Sequence, residues 1–258
     1  MVTILFHSTI FGPIHSRRLG TSLGVNLSPT DGKICSFDCV YCEAGYNSQG
    51  AGTSGFPARE DVKRQLEATL AEMNAKGERL DVITFSGNGE PTLHPDFAGV
   101  IDDTLALRDK YFPMVKVSVL CNSTRLHKPE VVAALRRVDN NILKLDSAVT
   151  ATMRAIDQPG SPDFTVERLL PQLEAMGEDC IIQTMMLRGR HNGVEIDNTT
   201  PEEVDALTEA YKRIKPREVM LYSIDRETPE SNLQKVEREE LERIAEVWRK
   251  DGIKVQVS

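Results

Sequence analysis

The sequence lacks what several protein classes require. No stretch of its 258 residues reaches the roughly eighteen continuous apolar positions of a membrane span. Its first residues, Met1 to Phe6, show neither a basic leader nor an apolar run of signal-peptide length, so a cytoplasmic location is the expectation. Positive charge is in deficit, with 31 Lys and Arg against 39 Asp and Glu. The net charge of −8 offers phosphate backbones no broad basic surface, and a nucleic-acid partner is disfavoured. The five histidines form neither an H-x3-H nor an H-E-x2-H pattern, so a histidine-based metal centre is not expected. Five cysteines, three of them clustered, make no disulfide framework and suit a reducing compartment. Repeats, low-complexity tracts and domain-separating linkers are all missing. Residues 1–258 therefore read as one domain, with 1–22 an irregular lead-in rich in turn formers.

What is present centres on Cys35, Cys39 and Cys42, a C-x3-C-x2-C loop in which the thiols converge without a fold behind them. A closed structural zinc site wants four ligands, and so does a ferredoxin-like cluster. Three thiolates on a four-iron cluster leave one iron open to a small molecule. The bland alternative is a zinc loop whose fourth ligand lies far away. Cys121 and Cys180 stand alone and read as buried small hydrophobes.

After the loop, strands and helices alternate. Strands are expected at 23–27, 80–85, 115–120, 141–145, 180–187, 218–222 and 253–257. Helices are expected at 61–76, 96–110, 131–138, 164–176, from the capping box at Thr200 and Glu203, and over 236–250. Pro171 is expected to kink or end the fourth of these helices. Such an alternation implies a parallel α/β sheet with helices outside, curling into a barrel or part of one. Segments 47–57 and 188–193 are candidate lids, with ordinary connecting loop the favoured reading.

Barrel chemistry gathers at the carboxyl ends of the strands. The second expected strand ends in Gly87, Asn88, Gly89 and Glu90. The glycines allow close backbone approach, and the carboxylate can accept a charge-assisted hydrogen bond from an ammonium.

The cysteine spacing with Tyr41 before the last thiol, and this glycine–glutamate run one βα unit later, resemble the signature of the radical S-adenosylmethionine (SAM) superfamily. The resemblance implies a partial (β/α)6 barrel, with a [4Fe-4S] cluster on Cys35, Cys39 and Cys42. It implies SAM chelated at the open iron and cleaved reductively to a 5′-deoxyadenosyl radical that abstracts substrate hydrogen. By the same resemblance Gly87, Gly89 and Glu90 hold the methionine amine, and Tyr41 lies near the adenine. Asn122, Asp146 (towards the ribose), Gln183 and Met185 are the remaining candidate contacts. A reductant such as flavodoxin or ferredoxin is implied as partner. The run from Gly12 to Gly20 and the segment from Tyr222 to Glu230 resemble the core of wyosine-forming tRNA enzymes. Arg17 and Arg18 are candidate clamps for a substrate carboxylate or phosphate. The expected substrate is a small molecule, peptide or protein. A tRNA-modifying enzyme, a glycyl-radical activase and a non-enzymatic metal-binding module are the alternatives.

Overall fold

The computed structural model describes residues 4–16 and 19–258, which leaves the Arg17 and Arg18 expectation outside the described residues. The elements run β1 (Ile10–Ser16), β2 (Gly20–Val25), α1 (Arg59–Ala75), β3 (Val82–Phe85), α2 (Phe97–Tyr111), β4 (Lys116–Cys121), α3 (Pro129–Leu135), β5 (Asn140–Lys144) and α4 (Thr150–Asp157). They continue with α5 (Val166–Met176), β6 (Ile181–His191), β7 (Val194–Asp197), α6 (Pro201–Ile214), β8 (Glu218–Ser223), β9 (Gln234–Lys235), α7 (Arg238–Lys250) and β10 (Val255–Val257).

The main sheet has the order β1-β2-β3-β4-β5-β6-β8-β10, and every neighbour from β2 onward is parallel. β1 and β10 stand at opposite ends of that order, so the sheet curls without closing. The expected partial barrel is borne out. Helices cover the outer face because the strands are apolar on both sides, as in Val82, Ile83 and Phe85 of β3, each at most 1 % exposed.

Alternation along β6 sorts its side chains. Ile182 and Met186 join the core under the helices, and Thr184 donates to or accepts from the Tyr211 hydroxyl of α6 at 2.6 Å. Ile181, Gln183 and Met185 therefore face the interior, as two-residue periodicity requires. A second apolar cluster packs Phe37, Val40 and Tyr41 of the cysteine loop against Ile156, Met185, Leu187 and Ile196. Burial of such side chains contributes about 1.5–3 kcal/mol each, which docks the loop on the strand ends.

Four expectations are corrected. The lead-in is not irregular: Ile10–Ser16 forms a strand antiparallel to β2, with a register shift between Phe11 and Ile14 at Gly12 and Pro13. Segment 188–193 is not a free loop, since β6 continues to His191 and turns back into β7. Pro171 does not end α5, which runs on to Met176 with the proline on the exposed side, where water can meet the unpaired carbonyl. The capping box at α6 is half made: Thr200 Oγ1 accepts from the Glu203 backbone N–H at 3.4 Å, while the Glu203 carboxylate accepts from the Ser147 hydroxyl at 2.6 Å. Among the described residues no helix is long and apolar enough to cross a membrane.

Candidate active site

The cysteine loop enters from the end of β2 and is seized first by backbone. Ile34 N donates to the Asn88 carbonyl at 3.0 Å, and Glu90 N donates to the Ile34 carbonyl at 3.3 Å, so Cys35 starts from a one-rung parallel bridge to the β3 turn. Gly89 makes this possible. Its φ of +153° suits glycine, and a Cβ there would run into the Ile34 carbonyl. At Gly87 a Cβ would meet the Asn26 side chain. Asn88 has a task of its own, which explains a side chain between two glycines. Its amide accepts from Phe6 N and donates to Phe6 O, both at 2.8 Å, and also donates to Pro29 O at 2.9 Å.

Glu90 is 2 % exposed and its carboxylate is already engaged. Oε1 accepts from the Thr92 backbone at 3.1 Å and hydroxyl at 2.6 Å, and Oε2 accepts from Asn122 N at 2.6 Å. The motif thus ties the end of β3 to the end of β4. Burial raises the Glu90 pKa, opposed by these donors. Asn122 then points its Nδ2 at Ser36 Oγ, 2.9 Å away, with Cys35 Sγ 3.6 Å distant.

The other side of the loop is held by side chains. Tyr41 OH donates to Asp146, whose second oxygen accepts from Met185 N at 2.9 Å. Lys144 Nζ lies 3.1 Å from Asp146, 3.9 Å from Asp157 and 4.7 Å from the centre of the Tyr41 ring. Cys39 Sγ is 3.4 Å from Asp157 at the end of α4. Asp146 thus anchors both Tyr41 and β6. Asn198, following β7, closes the arrangement with bonds to Leu187 N, Asp146 O and Met185 O.

Charge is balanced around the thiols. Burial pushes Cys35 up to about 12, reinforced by Glu90, and it raises Cys39 as well. Lys33 is 2 % exposed and donates to Gly45 O at 2.7 Å and Asp38 at 3.2 Å. Burial alone would lower its pKa, but the charges of Cys42, Cys35, Cys39 and Asp38 outweigh that and raise it. Lys144 is raised in the same way, Asp146 and Cys39 prevailing over burial.

The fold thus brings together Cys35, Cys39, Cys42, Tyr41, Gly87, Gly89, Glu90, Asn122, Asp146 and Met185. Gln183 faces the same interior beside Lys144, with no side-chain hydrogen bond among the described residues. Sequence reasoning missed Lys33, Asp38, Asn47, Lys144, Asp157 and Asn198. Asn47, at the start of segment 47–57, clamps the loop by accepting from Cys35 N at 3.1 Å and donating to Cys35 O and Phe37 O. Lys33, Asp38 and Asn47 were legible by proximity to the thiols; Lys144, Asp157 and Asn198 arrive from distant elements.

The donor set fits an iron–sulfur cluster: three thiols on one loop, N–H groups near Cys35 sulfur from Phe37 at 3.5 Å and Asn122, and two buried ammonium groups. Among the described residues no three His, Cys, Asp or Glu side chains converge on a single ion.

Comparison with known proteins followed the same line. Residues 30–190 match the family described as the Radical SAM superfamily. The chain is 29 % identical over 239 residues to a Brachyspira hyodysenteriae protein named GTPase Obg, covering 91 % of this chain and 32 % of that protein. It spans 32 %, 66 % and 53 % of the lengths of three curated relatives that it matches. Among solved structures, a radical SAM methyltransferase from Sphaerobacter thermophilus superposes with a TM-score of 0.68 at 14 % identity, over 92 % of this chain and 65 % of that one. TYW1 with a lysine–pyruvate adduct bound gives 0.60 at 16 % identity, over 91 % and 75 %. At such identities the likeness is one of fold.

Proposed function

Because the chain belongs to the radical SAM superfamily, whose members use a [4Fe-4S] cluster and SAM, we propose that it is an enzyme abstracting hydrogen from a small-molecule, peptide or protein substrate. When bound, the cluster and SAM together supply a 5′-deoxyadenosyl radical. The protein supplies position and electrostatics. Cys35, Cys39 and Cys42 are the ligands in this reading. Gly89 lets their loop lie against the β3 turn, and Glu90 offers its carboxylate to the SAM amine. Asn122 and Gln183 offer amides from β4 and β6, while Met185 gives an apolar wall. Lys33 and Lys144 offset the negative charge of the loop. Strands and the apolar cluster under Tyr41 keep water from the reacting atoms, which a carbon radical requires.

The observation that carries the reading is the clamp of Ile34 on Asn88 and Glu90, which sets the first thiol directly against the glycine–glutamate turn. A tRNA substrate stands second, on the sequence resemblance at 12–20 and 222–230. The test is anaerobic reconstitution followed by iron analysis and assay of 5′-deoxyadenosine under dithionite. About four irons per chain with SAM-dependent deoxyadenosine is the expected result. One zinc, or iron without SAM cleavage, would overturn it.

A further inference from the structure

Two pockets adjoin the cysteine loop on its solvent side. One, of about 430 Å³, is lined by Cys35, Phe37, Asp38, Arg154 and Gln158. The other, of about 410 Å³, is lined by Leu93, Arg125, His127, Phe164, Arg168 and Leu169. Ser36 and Pro159 belong to both, so they form one groove that reaches Cys35.

The charge of this groove runs against that of the chain. Arg125, Arg154 and Arg168 face it, in a protein of net charge −8. Arg125 makes no ion pair or side-chain hydrogen bond among the described residues, although it is half-buried at the groove wall. Arg154 is spent on the carbonyls of Pro162 and Phe164, which neutralise none of its charge. Two carboxylates share the groove: Asp38 is matched by the buried Lys33 at 3.2 Å, and Asp163 lies 3.9 Å from Arg168, so the arginines outnumber the acids left to face them. Leu93, Phe164 and Leu169 give an apolar floor inside this cationic rim. Such a patch captures a partner of opposite charge by steering, and small, transient interfaces suffice for electron transfer.

We infer that this groove docks the protein that reduces the enzyme, a small acidic redox protein whose carboxylates meet Arg125 and Arg168 while its cofactor faces Cys35. The inference rests on the superfamily reading above, since it presumes a cluster behind Cys35. For each SAM cleaved the donor would lose one electron, and the carbon–sulfur bond would open to methionine and a 5′-deoxyadenosyl radical, which takes a hydrogen atom to become deoxyadenosine. Neither arginine touches Glu90, Asn122 or the interior, so the chemistry itself does not need them.

The experiment compares reconstituted wild type with the Arg125→Glu/Arg168→Glu variant, using two reductants. With sub-saturating reduced flavodoxin, an acidic flavoprotein, deoxyadenosine formation is expected to fall about tenfold in the variant. In wild type it should also fall as salt is raised. With dithionite, which needs no docking, the two proteins should match. An unchanged flavodoxin rate in the variant would overturn the inference. An equal fall with both reductants would do so too, by assigning the groove to cofactor or substrate. So would wild type that works with dithionite but with neither flavodoxin nor acidic ferredoxin, or tRNA binding that the variant loses while flavodoxin still works. Wild type inactive with dithionite would instead sink the superfamily reading itself.

Discussion

The two flanks of the cysteine loop are held by different physics. On the β3 side the grip is backbone to backbone, through Ile34, Asn88 and Glu90, and its requirement is the absence of a side chain at Gly89. On the β5 and α4 side the grip is a buried set of charges, Lys144 with Asp146 and Asp157, under the Tyr41 ring. A backbone clamp is intolerant of volume; a charge network is intolerant of imbalance. The loop can therefore be dislodged from one side by a methyl group and from the other by removing a single ammonium.

The comparison breaks hardest at the thiols that both flanks serve. Cys39→Ala should abolish deoxyadenosine formation while the far-ultraviolet circular dichroism stays that of the wild type; cleavage surviving in that variant would contradict the ligand assignment. Lys144→Met should come next, costing about 3–5 kcal/mol in urea unfolding because two carboxylates lose their cation. Adding Asp157→Asn should recover part of that loss, and a neutral Lys144→Met would remove the charge-network account. Gly89→Ala should cost about 1–3 kcal/mol and reduce iron uptake in reconstitution, with no recovery from Asp157→Asn. If that second substitution did rescue it, the two flanks would not be independent.

Smaller effects sharpen the picture. Glu90→Gln should weaken SAM binding about tenfold and leave iron content near wild type, as read by equilibrium dialysis and iron assay; the opposite order would mean the glutamate serves the loop rather than SAM. Smallest is a pH effect at the outer edge of the loop. Asp31 accepts from the backbone and hydroxyl groups of Thr53 and Ser54, which hold its carboxyl well below the usual range. Because the folded value is lowered, the clasp contributes in full above about pH 4 and is lost as pH falls towards the folded value. Protection of the Thr53 and Ser54 amides, measured relative to their intrinsic exchange rates, should fall on acidification, and protection indifferent to pH would refute the clasp.

The sequence was readable where the physics is local. The two-residue alternation of β6 and the spacing of Val62, Leu66 and Leu70 on α1 need no tertiary knowledge, and both stand as expected. β1 was hidden because Gly12, Pro13 and Gly20 look like turn formers while in fact shaping a bulged hairpin. α4 was hidden by its brevity: only Met153 and Ile156 mark its apolar side. In the site, Glu90 and Asn122 could be named because they end strands. The arrangement of Asp146 could not, since its partners Tyr41 and Met185 lie 105 and 39 residues away. Nor could that of Asn198, which reaches Asp146 across 52 residues.

The measurement closest to the central claim is electron paramagnetic resonance of the reconstituted, reduced protein with and without SAM. A four-iron signal that shifts when SAM is added, and is lost in Cys39→Ala, is the predicted result. A signal blind to SAM, or none in the wild type, would contradict the account.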